Sequence, residues 1–491
     1  MPNDPNEGNS TDAGGTTRKL PPKQAPEHSV PTYKDVPETA RPERRPGPRK
    51  RFPQVPPGPD HPDDSPSPAV PPRKQALAAA ATPALAGIKV LTNVELSAVS
   101  SSPMTSSIGE PSVACNGDVV FYAGNWYAAM STDGANSFEY VNPYKSFPDP
   151  PGMRFCCDQV VHYIPSIDMF VWLLQYRTDN NNENIERIAF ATTADVIAKK
   201  WKTYDISPTD LALPLMMLDF PDLAFGTNYL YVTCNAFDAA GGWTNTVLFR
   251  IPLKSLESGA PSAEVWSTNQ TFALRCAQHC SRTAYFAAHQ NTSTLRVFSW
   301  GDADVAPSIT DVTVPTWNQD MPFVSMTPDN FNWLGRADGR VLGATAFGSQ
   351  LWFAWGANAG GANQRPNPYV QIAYLDTANG NITLKDSINL WDPDVAIQYP
   401  AIDSTIDGDI GVSYFFGGKN AYPSHAVSFL LDVSDHVVTA SGAFGPKEQI
   451  WGDYLTVRRS PDGRRLAATG YTQKTGSAEE NVAPRYVLFS R

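Results

Sequence analysis

Eight side chains that could perform acid–base chemistry lie at matching positions of a strand unit that recurs along this chain of 491 residues. Two neighbouring carboxylates can act as the acid and the base or nucleophile of glycosidic bond hydrolysis. A histidine or tyrosine can instead take the proton beside a uronate while an arginine neutralises the uronate carboxylate, which is the chemistry of a polysaccharide lyase. The candidate catalytic residues are Glu110, Asp158, Asp222, Asp453, Tyr176, Tyr399, Arg177 and His289.

These candidates fall at two places in the repeated unit, which consists of an apolar strand, a tight turn and a second strand rich in aromatic and small residues. First strands begin near Glu110, Asp158, Asp222, Tyr399 and Asp453. Second strands end near Asn125, Gln175, Tyr176, Asn235, His289 and Tyr471. Because the start of one strand and the end of its antiparallel neighbour share an edge, we expect both sets on one face. The polar loops that follow the second strands would border that face.

Seven copies of the unit predict the fold. They start near Glu110, Asp158, Phe220, Leu274, Val341, Tyr399 and Gly452, roughly 45 to 65 residues apart, which is the span of a four-stranded blade with its loops. Asp-Gly, Asn-Gly and Gly-Gly turns separate the strands, and no long segment has a helical period. We therefore predict an all-β chain folded as a seven-bladed β-propeller, with residues 88–91 closing the ring against residues 486–490. A six-bladed ring and a stacked β-solenoid are the alternatives.

The first 85 residues have a different composition. Of the 44 prolines, 20 lie at or before Pro83, whereas Tyr33 and Phe52 are the only aromatic residues there. So few large apolar groups cannot offset the entropy lost on ordering the chain, so we predict a disordered Pro-rich tail over residues 1–85 and the propeller domain over residues 86–491. The basic run at residues 41–51 could bind a partner or transport machinery, and a solvated tether is the simpler interpretation.

The net charge and hydropathy exclude several classes of protein. A formal charge of −11 opposes a dedicated nucleic-acid binder, because such proteins need a basic surface. No apolar run reaches about 18 residues, so no transmembrane segment is expected. The polar residues after Met1 do not resemble a classical secretory signal peptide. We nevertheless expect an extracellular or exported protein, by a route that the sequence leaves open.

The cysteine pattern predicts no cofactor. Cys156 and Cys157 are adjacent, and adjacent strand residues point to opposite faces. Cys276, His279 and Cys280 suggest zinc ligands, but no second cluster completes the four ligands of a structural site. Buried thiols, or one bridge between nearby loops, is therefore the preferred interpretation.

A structural calcium ion is the one metal that the sequence leaves open. Asp403, Asp407 and Asp409 could line a calcium loop, since carboxylate oxygens are suitable ligands for this ion. The dipeptide Asp407-Gly408 is explained more simply as a hairpin turn. The calcium loop therefore stays an alternative to an ordinary turn.

Four short motifs indicate a relationship to a known family. Residues 131–138 (STDGANSF) are close to the Asp-box pattern S-x-D-x-G-x-T-W, with an alanine and a phenylalanine where the box has glycine and tryptophan. Residues 460–463 (SPDG) match part of a second box, and residues 451–454 (WGDY) and 468–471 (ATGY) are similar to the last blade of many bacterial members. On these motifs the chain resembles the sialidase-like propellers that carry Asp-box (BNR) repeats. The resemblance implies a propeller with its boxes on the face opposite the active site.

The resemblance also implies action on glycans. Catalytic sialidases need an arginine triad, and residues 249–252 (FRIP) imitate the motif that supplies one of its arginines. In that family the motif precedes the first box, whereas here it follows the box, so we interpret it as a strand end stopped by proline. We therefore expect a glycoside hydrolase or polysaccharide lyase that acts on a glycan or polysaccharide at the mouth of the central channel.

Two other functions are compatible with the same sequence. A non-catalytic module would bind a glycan or a protein through aromatic side chains such as Trp126, Trp355 and Tyr422. An exported effector or cargo protein would use the N-terminal tail as a loading signal. Glycan binding without turnover would favour the first of these over an enzyme.

Overall fold

The structure of the protein is a computed structural model. It describes residues 14–32, 52–58, 87–100, 104–106, 108–362, 364–430, 436–447, 449–473 and 482–491. Strands dominate these residues, as predicted. The longest α-helices among them have five residues, and none of them could cross a membrane.

The described strands form seven antiparallel sheets, one for each blade of a propeller. Three strands precede the first blade: β1 (Thr16–Leu20), β2 (Glu27–Ser29) and β3 (Lys89–Glu95). Blade 1 contains β4 (Ser112–Asn116), β5 (Val119–Ala123), β6 (Ala128–Ser131) and β7 (Glu139–Val141). Blade 2 contains β8 (Phe155–Ile164), β9 (Met169–Tyr176), β10 (Glu186–Thr192) and β11 (Lys200–Ile206). Blade 3 contains β12 (Met217–Phe225), β13 (Tyr229–Phe237), β14 (Trp243–Pro252) and β15 (Ala263–Thr268).

The remaining blades follow in chain order. Blade 4 contains β16 (Arg275–Cys276), β17 (Thr283–Asn291), β18 (Thr294–Gly301) and β19 (Ser308–Thr313). Blade 5 contains β20 (Val341–Phe347), β21 (Gln350–Ala357), β22 (Tyr369–Asp376) and β23 (Thr383–Leu390). Blade 6 contains β24 (Ala396–Ser404), β25 (Ile410–Gly418), β26 (Ala421–Phe429) and β27 (Val437–Ala440). Blade 7 contains β28 (Val457–Arg459), β29 (Leu466–Gln473) and β30 (Val482–Ser490).

Short helices lie between strands. Among the described residues, the α-helices are α1 (Pro143–Ser146), α2 (Thr193–Ile197) and α3 (Leu253–Glu257). The 3₁₀-helices of the same ranges are Leu96–Val99, Pro165–Ile167 and Ala378–Gly380. All of them connect strands or flank the sheets, so the sheets alone determine the architecture.

Neighbouring blades cover both faces of a strand, which explains the composition of the chain. All nine residues of β25 are buried. Between blades 1 and 2, the rings of Trp172 and Trp201 each lie 5.0 Å from the ring of Phe121, measured between centroids. A strand buried on both faces needs no alternating polar residues. The sequence therefore shows continuous apolar runs at many of the strands.

Pairing of the first and last strands of the ring closes the propeller. β3 joins β30 as the fourth strand of blade 7, with Lys89 opposite Ser490 and Val90 opposite Phe489. This confirms the closure predicted for residues 88–91 and 486–490. Closure leaves no open face between the first and the last blade, because blade 7 contains both ends of the propeller chain.

The Asp-box-like run forms the turn between β6 and β7, the third and fourth strands of blade 1. Asp133 Oδ1 accepts a hydrogen bond from the Ser137 backbone N–H at 2.9 Å, and Ser131 Oγ accepts one from the Ala135 N–H at 2.9 Å. Phe138 is buried below the turn. Since strands alternate in direction, this turn lies at the end of the blade opposite the start of the first strand, as the motif implied.

Two parts of the Pro-rich tail, residues 14–32 and residues 52–58, have a defined conformation on the propeller, and the first of them contains two strands. β1 pairs with β15 as a fifth strand of blade 3, and β2 pairs with β11 as a fifth strand of blade 2. The outer edge of a blade offers unpaired backbone N–H and C=O groups, which such added strands satisfy. The predicted disorder therefore does not extend to residues 14–32 and 52–58. The other residues of the predicted tail, apart from the two segments named, lie outside the described residues.

The closing strand offers a direct test of this packing. Phe489 is completely buried, and its ring lies 5.5 Å from that of Phe429 in blade 6. Replacing Phe489 with alanine leaves a cavity, so we expect the free energy of unfolding to fall by about 3–5 kcal/mol, measured by urea denaturation with tryptophan fluorescence. Leu488→Ala, at the neighbouring and more exposed position, should cost clearly less. Equal losses would contradict the packing of Phe489 of blade 7 against blade 6.

Candidate functional site

The first strands of four blades share a backbone kink near one end of the central channel, which we call the mouth. Glu110, Phe220, Ala273 and Tyr399 have positive φ angles of 45°, 55°, 58° and 58°. In blades 3 and 6 the pairing with the second strand shifts register at this point. The left-handed conformation costs a non-glycine residue about 1–2 kcal/mol, so the surrounding packing must hold it. The kink separates residues at the mouth from residues deeper in the channel.

Four carboxyl groups, which we call the acid cluster, gather at the mouth: Glu110, Asp158, Asp219 and Asp453. Glu110 is 4% exposed, and its Oε2 accepts a hydrogen bond from Asn125 Nδ2 at 2.8 Å. Burial raises the pKa of the Glu110 carboxyl well above its usual value, and the nearby Asp158 and Asp453 carboxylates raise it further. Asp219 acts in the same direction. Glu110 therefore keeps its proton at pH values where an exposed glutamate has lost it.

Two arginines balance the acid cluster. Arg336 Nε lies 3.9 Å from Asp453 Oδ1, and Arg340 Nη2 lies 3.6 Å from Asp453 Oδ2. Arg340 Nε also binds Asp338 Oδ2 at 2.8 Å. Asp453 raises the pKa of Arg336 above its usual value. Burial alone would lower the pKa of Arg340, but Asp338 and Asp453 outweigh burial and raise it. Both guanidinium groups therefore stay charged beside Asp453.

Three buried tyrosines complete the mouth: Tyr399, Tyr454 and Tyr471. Burial raises the pKa of each phenol well above its usual value, and nearby carboxylates of the acid cluster raise each one further. Tyr471 donates a hydrogen bond to the Trp451 carbonyl oxygen at 2.6 Å, and Tyr454 donates one to the Gln159 carbonyl oxygen at 3.3 Å. The Tyr399 hydroxyl has no hydrogen-bond partner among the described residues. These tyrosines are neutral, so they can donate a hydrogen bond but are poor general bases.

The predicted residue Asp222 lies deeper in the channel than the acid cluster, two positions beyond the kink at Phe220. Its Oδ2 lies 3.2 Å from Arg275 Nε and accepts a hydrogen bond from the Cys276 backbone N–H at 3.0 Å. Asp222 thus has a cationic partner of its own in blade 4. The structure brings four of the predicted residues together, Glu110, Asp158, Tyr399 and Asp453, but not Asp222.

Three further predicted residues lie apart from the acid cluster. The His289 ring packs against Trp317 and Trp355 at 4.7 and 4.8 Å between centroids, and burial lowers its pKa to about 3. Tyr176 Oη accepts a hydrogen bond from Arg187 Nη1 at 2.6 Å within blade 2. The Arg177 backbone N–H donates to the Arg154 carbonyl oxygen at 2.7 Å. His289 and Tyr176 are therefore packed into blades on the predicted face.

Sequence reasoning did not find Asp219, Arg336 and Arg340. Asp219 immediately precedes the kink at Phe220, whereas the spacing of the repeated unit predicts Asp222 at the mouth. The two arginines belong to the run GRADGR, which ends directly before β20. Glu110 and Asp453 are candidates because they lie just before the first strand of a blade. The two arginines lie just before β20, so the same criterion could have identified them.

The three aspartates of the predicted calcium loop each lie beside a cationic or basic side chain. Asp403 Oδ1 lies 2.8 Å from His279 Nε2, Asp407 pairs with Arg464, and Asp409 pairs with Arg491. Over the described ranges, no group of three or more His, Cys, Asp or Glu side chains could hold a metal ion. A structural calcium ion stays a prediction that these contacts do not favour.

The cysteines follow the preferred interpretation in part. Cys115, Cys234, Cys276 and Cys280 are buried thiols. Cys156 and Cys157 are joined to each other by a disulfide, at the start of β8 and directly before Asp158. The expected bridge between nearby loops is therefore a bridge between adjacent residues. It lies where the pairing of β8 with β9 is irregular.

Comparison with solved structures finds remote likenesses to proteins of several functions. No family model and no curated protein matches it. A chain of the Saccharomyces cerevisiae complex of Dbp5 with Nup159 and Gle1 is 10% identical, with 86% of this chain and all of that chain covered and a TM-score of 0.38. The GH93 α-L-arabinofuranosidase of Fusarium graminearum is 8% identical, with 81% and 97% covered and a TM-score of 0.40. The sialidase of Trypanosoma rangeli is 8% identical, with 67% and 54% covered and a TM-score of 0.34. At TM-scores below 0.5 these likenesses assign neither a family nor an activity to this chain.

The raised pKa of Glu110 predicts a pH-dependent effect on stability. Below about pH 4.5 the carboxyl is protonated in both the folded and the unfolded state. Above that pH only the folded state retains the proton, so folding loses stability as the pH rises. We expect Glu110→Gln to match the wild type near pH 4 and to melt at a higher temperature at pH 8, by roughly 1 °C for each 1 kcal/mol relieved in a domain of this size.

Calorimetry at the two pH values checks this. Glu257→Gln, at an exposed position on α3, is the control and should change neither melting temperature. A melting temperature of Glu110→Gln that shifts equally at pH 4 and pH 8 would contradict a buried, protonated Glu110.

Proposed function

We propose that the protein hydrolyses glycosidic bonds at the mouth of the propeller, with Glu110 as the proton donor. The observation that carries this proposal is the burial of Glu110 beside Asp158 and Asp453, with two arginines balancing the negative charge. A glycosidase needs one carboxyl group that is protonated at its working pH and one that is ionised. The acid cluster contains a buried carboxyl group, Glu110, and a partly exposed one, Asp158, which suit these two roles.

Asp158 is the member best suited to act as the ionised carboxylate. It is partly exposed at the start of β8, whereas Asp219 is buried and its Oδ1 accepts a hydrogen bond from Gln175 Nε2 at 2.8 Å. Asp453 is paired with Arg336 and Arg340, which hold it in position. We therefore assign Asp158 the role of base or nucleophile, with Asp453 holding the site in place.

A neutral glycan fits this site better than a uronate-containing one. Residues 86–491 contain 26 Lys and Arg against 39 Asp and Glu, so the folded part repels polyanions. A lyase would also need a base beside the substrate, and the pKa of His289 is lowered to about 3 by burial between tryptophans rather than raised by a carboxylate neighbour. Both observations favour hydrolysis over elimination. The expected extracellular location would suit such a substrate and stays a prediction.

Turnover of neutral polysaccharides and of aryl glycosides by the full chain tests the proposal. We expect Glu110→Gln to lower kcat on polysaccharides by about 10²-fold or more, because general acid catalysis contributes about that factor. The same variant should lose much less on a dinitrophenyl glycoside, whose leaving group needs no proton. Asp158→Asn should lower kcat on both kinds of substrate.

A matched control and the pH profile sharpen this test. Asp311→Asn, which changes an exposed carboxylate on β19 paired with Arg296, should leave kcat unchanged. Wild-type activity should fall as the pH rises through the raised pKa of Glu110, and Glu110→Gln should lack this limb. Full activity of both Glu110→Gln and Asp158→Asn would contradict the proposal, and glycan binding without any product would favour a recognition module.

A further inference from the structure

A segment of the Pro-rich N-terminal region, residues 52–58, lies on the mouth side of blades 3 and 4. The Thr292 N–H donates a hydrogen bond to the Pro56 carbonyl oxygen at 2.9 Å, and Thr292 Oγ1 accepts one from the Gly58 N–H at 2.8 Å. The Gln319 side-chain amide donates to the Val55 carbonyl oxygen. These backbone contacts fix the second half of the segment just beyond the end of β17.

The first residue of this segment, Phe52, fills an aromatic pocket. Its ring centroid lies 6.0 Å from that of Phe237 and 5.7 Å from that of Phe272. Trp243 packs on Phe272 at 5.7 Å and extends the same pocket. These residues come from the end of β13, the start of β14 and the loop after β15, which all lie at the mouth. Phe52 also lies against the guanidinium of Arg340, with 4.6 Å from Cζ to the ring centroid.

Arg340 connects this pocket to the acid cluster. It pairs with Asp453, so the Phe52 ring is one residue removed from the carboxylates of the candidate site. Arg340 is 7% exposed, and its Nη1 has no hydrogen-bond partner among the described residues. The indole Nε1 of Trp243 likewise has none within the described ranges. Two N–H donors that line the pocket, one of them on the Arg340 guanidinium against the Phe52 ring, are therefore unsatisfied by the described residues, and an aromatic ring is a weaker acceptor than a hydroxyl oxygen.

We propose that Phe237, Trp243, Phe272 and Arg340 form a sugar-binding subsite that Phe52 occupies in the free protein. The C–H face of a sugar ring packs on aromatic side chains. Sugar hydroxyl oxygens can accept hydrogen bonds from the N–H groups of Arg340 and Trp243. The charge of Arg340 is already paired with Asp338 and Asp453, so the subsite suits a neutral sugar. Residues 52–58 then act as an intramolecular competitor of the substrate. This inference rests on the proposed function, since it places the subsite beside the acid cluster.

Competition of this kind has a defined kinetic signature. When the tethered Phe52 side chain occupies the subsite, only a fraction of the protein molecules can bind substrate. The apparent Kd is the intrinsic Kd divided by that fraction. Full burial of a phenylalanine side chain corresponds to a factor of about 10–100 in an equilibrium constant, and Phe52 is only half-buried, so the lower end of this range applies. We therefore expect Phe52→Ala to lower KM for the substrate by up to about 10-fold, with kcat changed little because the acid cluster is intact.

Binding measured without turnover separates this inference from the proposed function. In the Glu110→Gln background of the full chain, calorimetry would give Kd for neutral hexasaccharides of arabinose, xylose, glucose and galactose. The variant that also contains Phe52→Ala should bind one of them more tightly than Glu110→Gln alone, by several-fold and up to about 10-fold. Gln54→Ala, an exposed position of the same segment, is the matched control and should leave Kd unchanged. Trp243→Ala, added to the Phe52→Ala variant, should remove the gain.

The outcomes distinguish the two proposals. One outcome is that the protein hydrolyses glycans while Phe52→Ala and Gln54→Ala give the same KM and the same Kd. That result would overturn the subsite and leave the proposed function standing. Tighter binding by Phe52→Ala without hydrolysis by any variant would overturn the proposed function and leave the subsite standing. Failure of the Phe52→Ala variant to bind any of the four hexasaccharides would overturn the subsite.

Discussion

Burial of the blades against one another is the constraint on which the rest of this structure depends. A four-stranded sheet with two apolar faces is unstable in water, and a closed ring gives each sheet a neighbour on both sides. The pairing of β3 with β30 completes blade 7, which covers one face of blade 6 and one face of blade 1. The same closure brings the first strands of the blades together around one axis. The crowded mouth is therefore a consequence of the packing of the blades.

Crowding at the mouth sets the electrostatics of the site. Carboxylates that approach one another in a buried environment cannot all be ionised without a large cost. The protein balances this cost in two ways, with the arginine pair at Asp453 and with a proton on Glu110. The kinked backbone at Glu110 is part of the same arrangement, because tight packing must hold a conformation that the isolated residue disfavours. The chemistry that we propose is a consequence of that balance.

Much of this arrangement could be predicted from the spacing of strands and turns. Glu110, Asp158, Tyr399 and Asp453 each mark the start of a first strand, and the structure places them together at the mouth. Spacing was less informative about side chains inside a strand unit, as with His289, whose ring is enclosed by tryptophans from loops and strands of two blades. Alternation along a strand does not reveal such an enclosure, because the neighbours come from other blades.

The sequence by itself determined the repeating unit, the turn chemistry of the Asp-box-like run and the identity of the closing strands. Those features depend on local hydrogen bonds and on the pattern of apolar residues, which any reader of the chain can see. Only the tertiary structure decided which groups share the mouth, which carboxyl keeps its proton, and that Phe52 of a proline-rich segment lies against Arg340. These depend on burial and on contacts between residues far apart in the chain, and neither composition nor spacing encodes the distance between such groups.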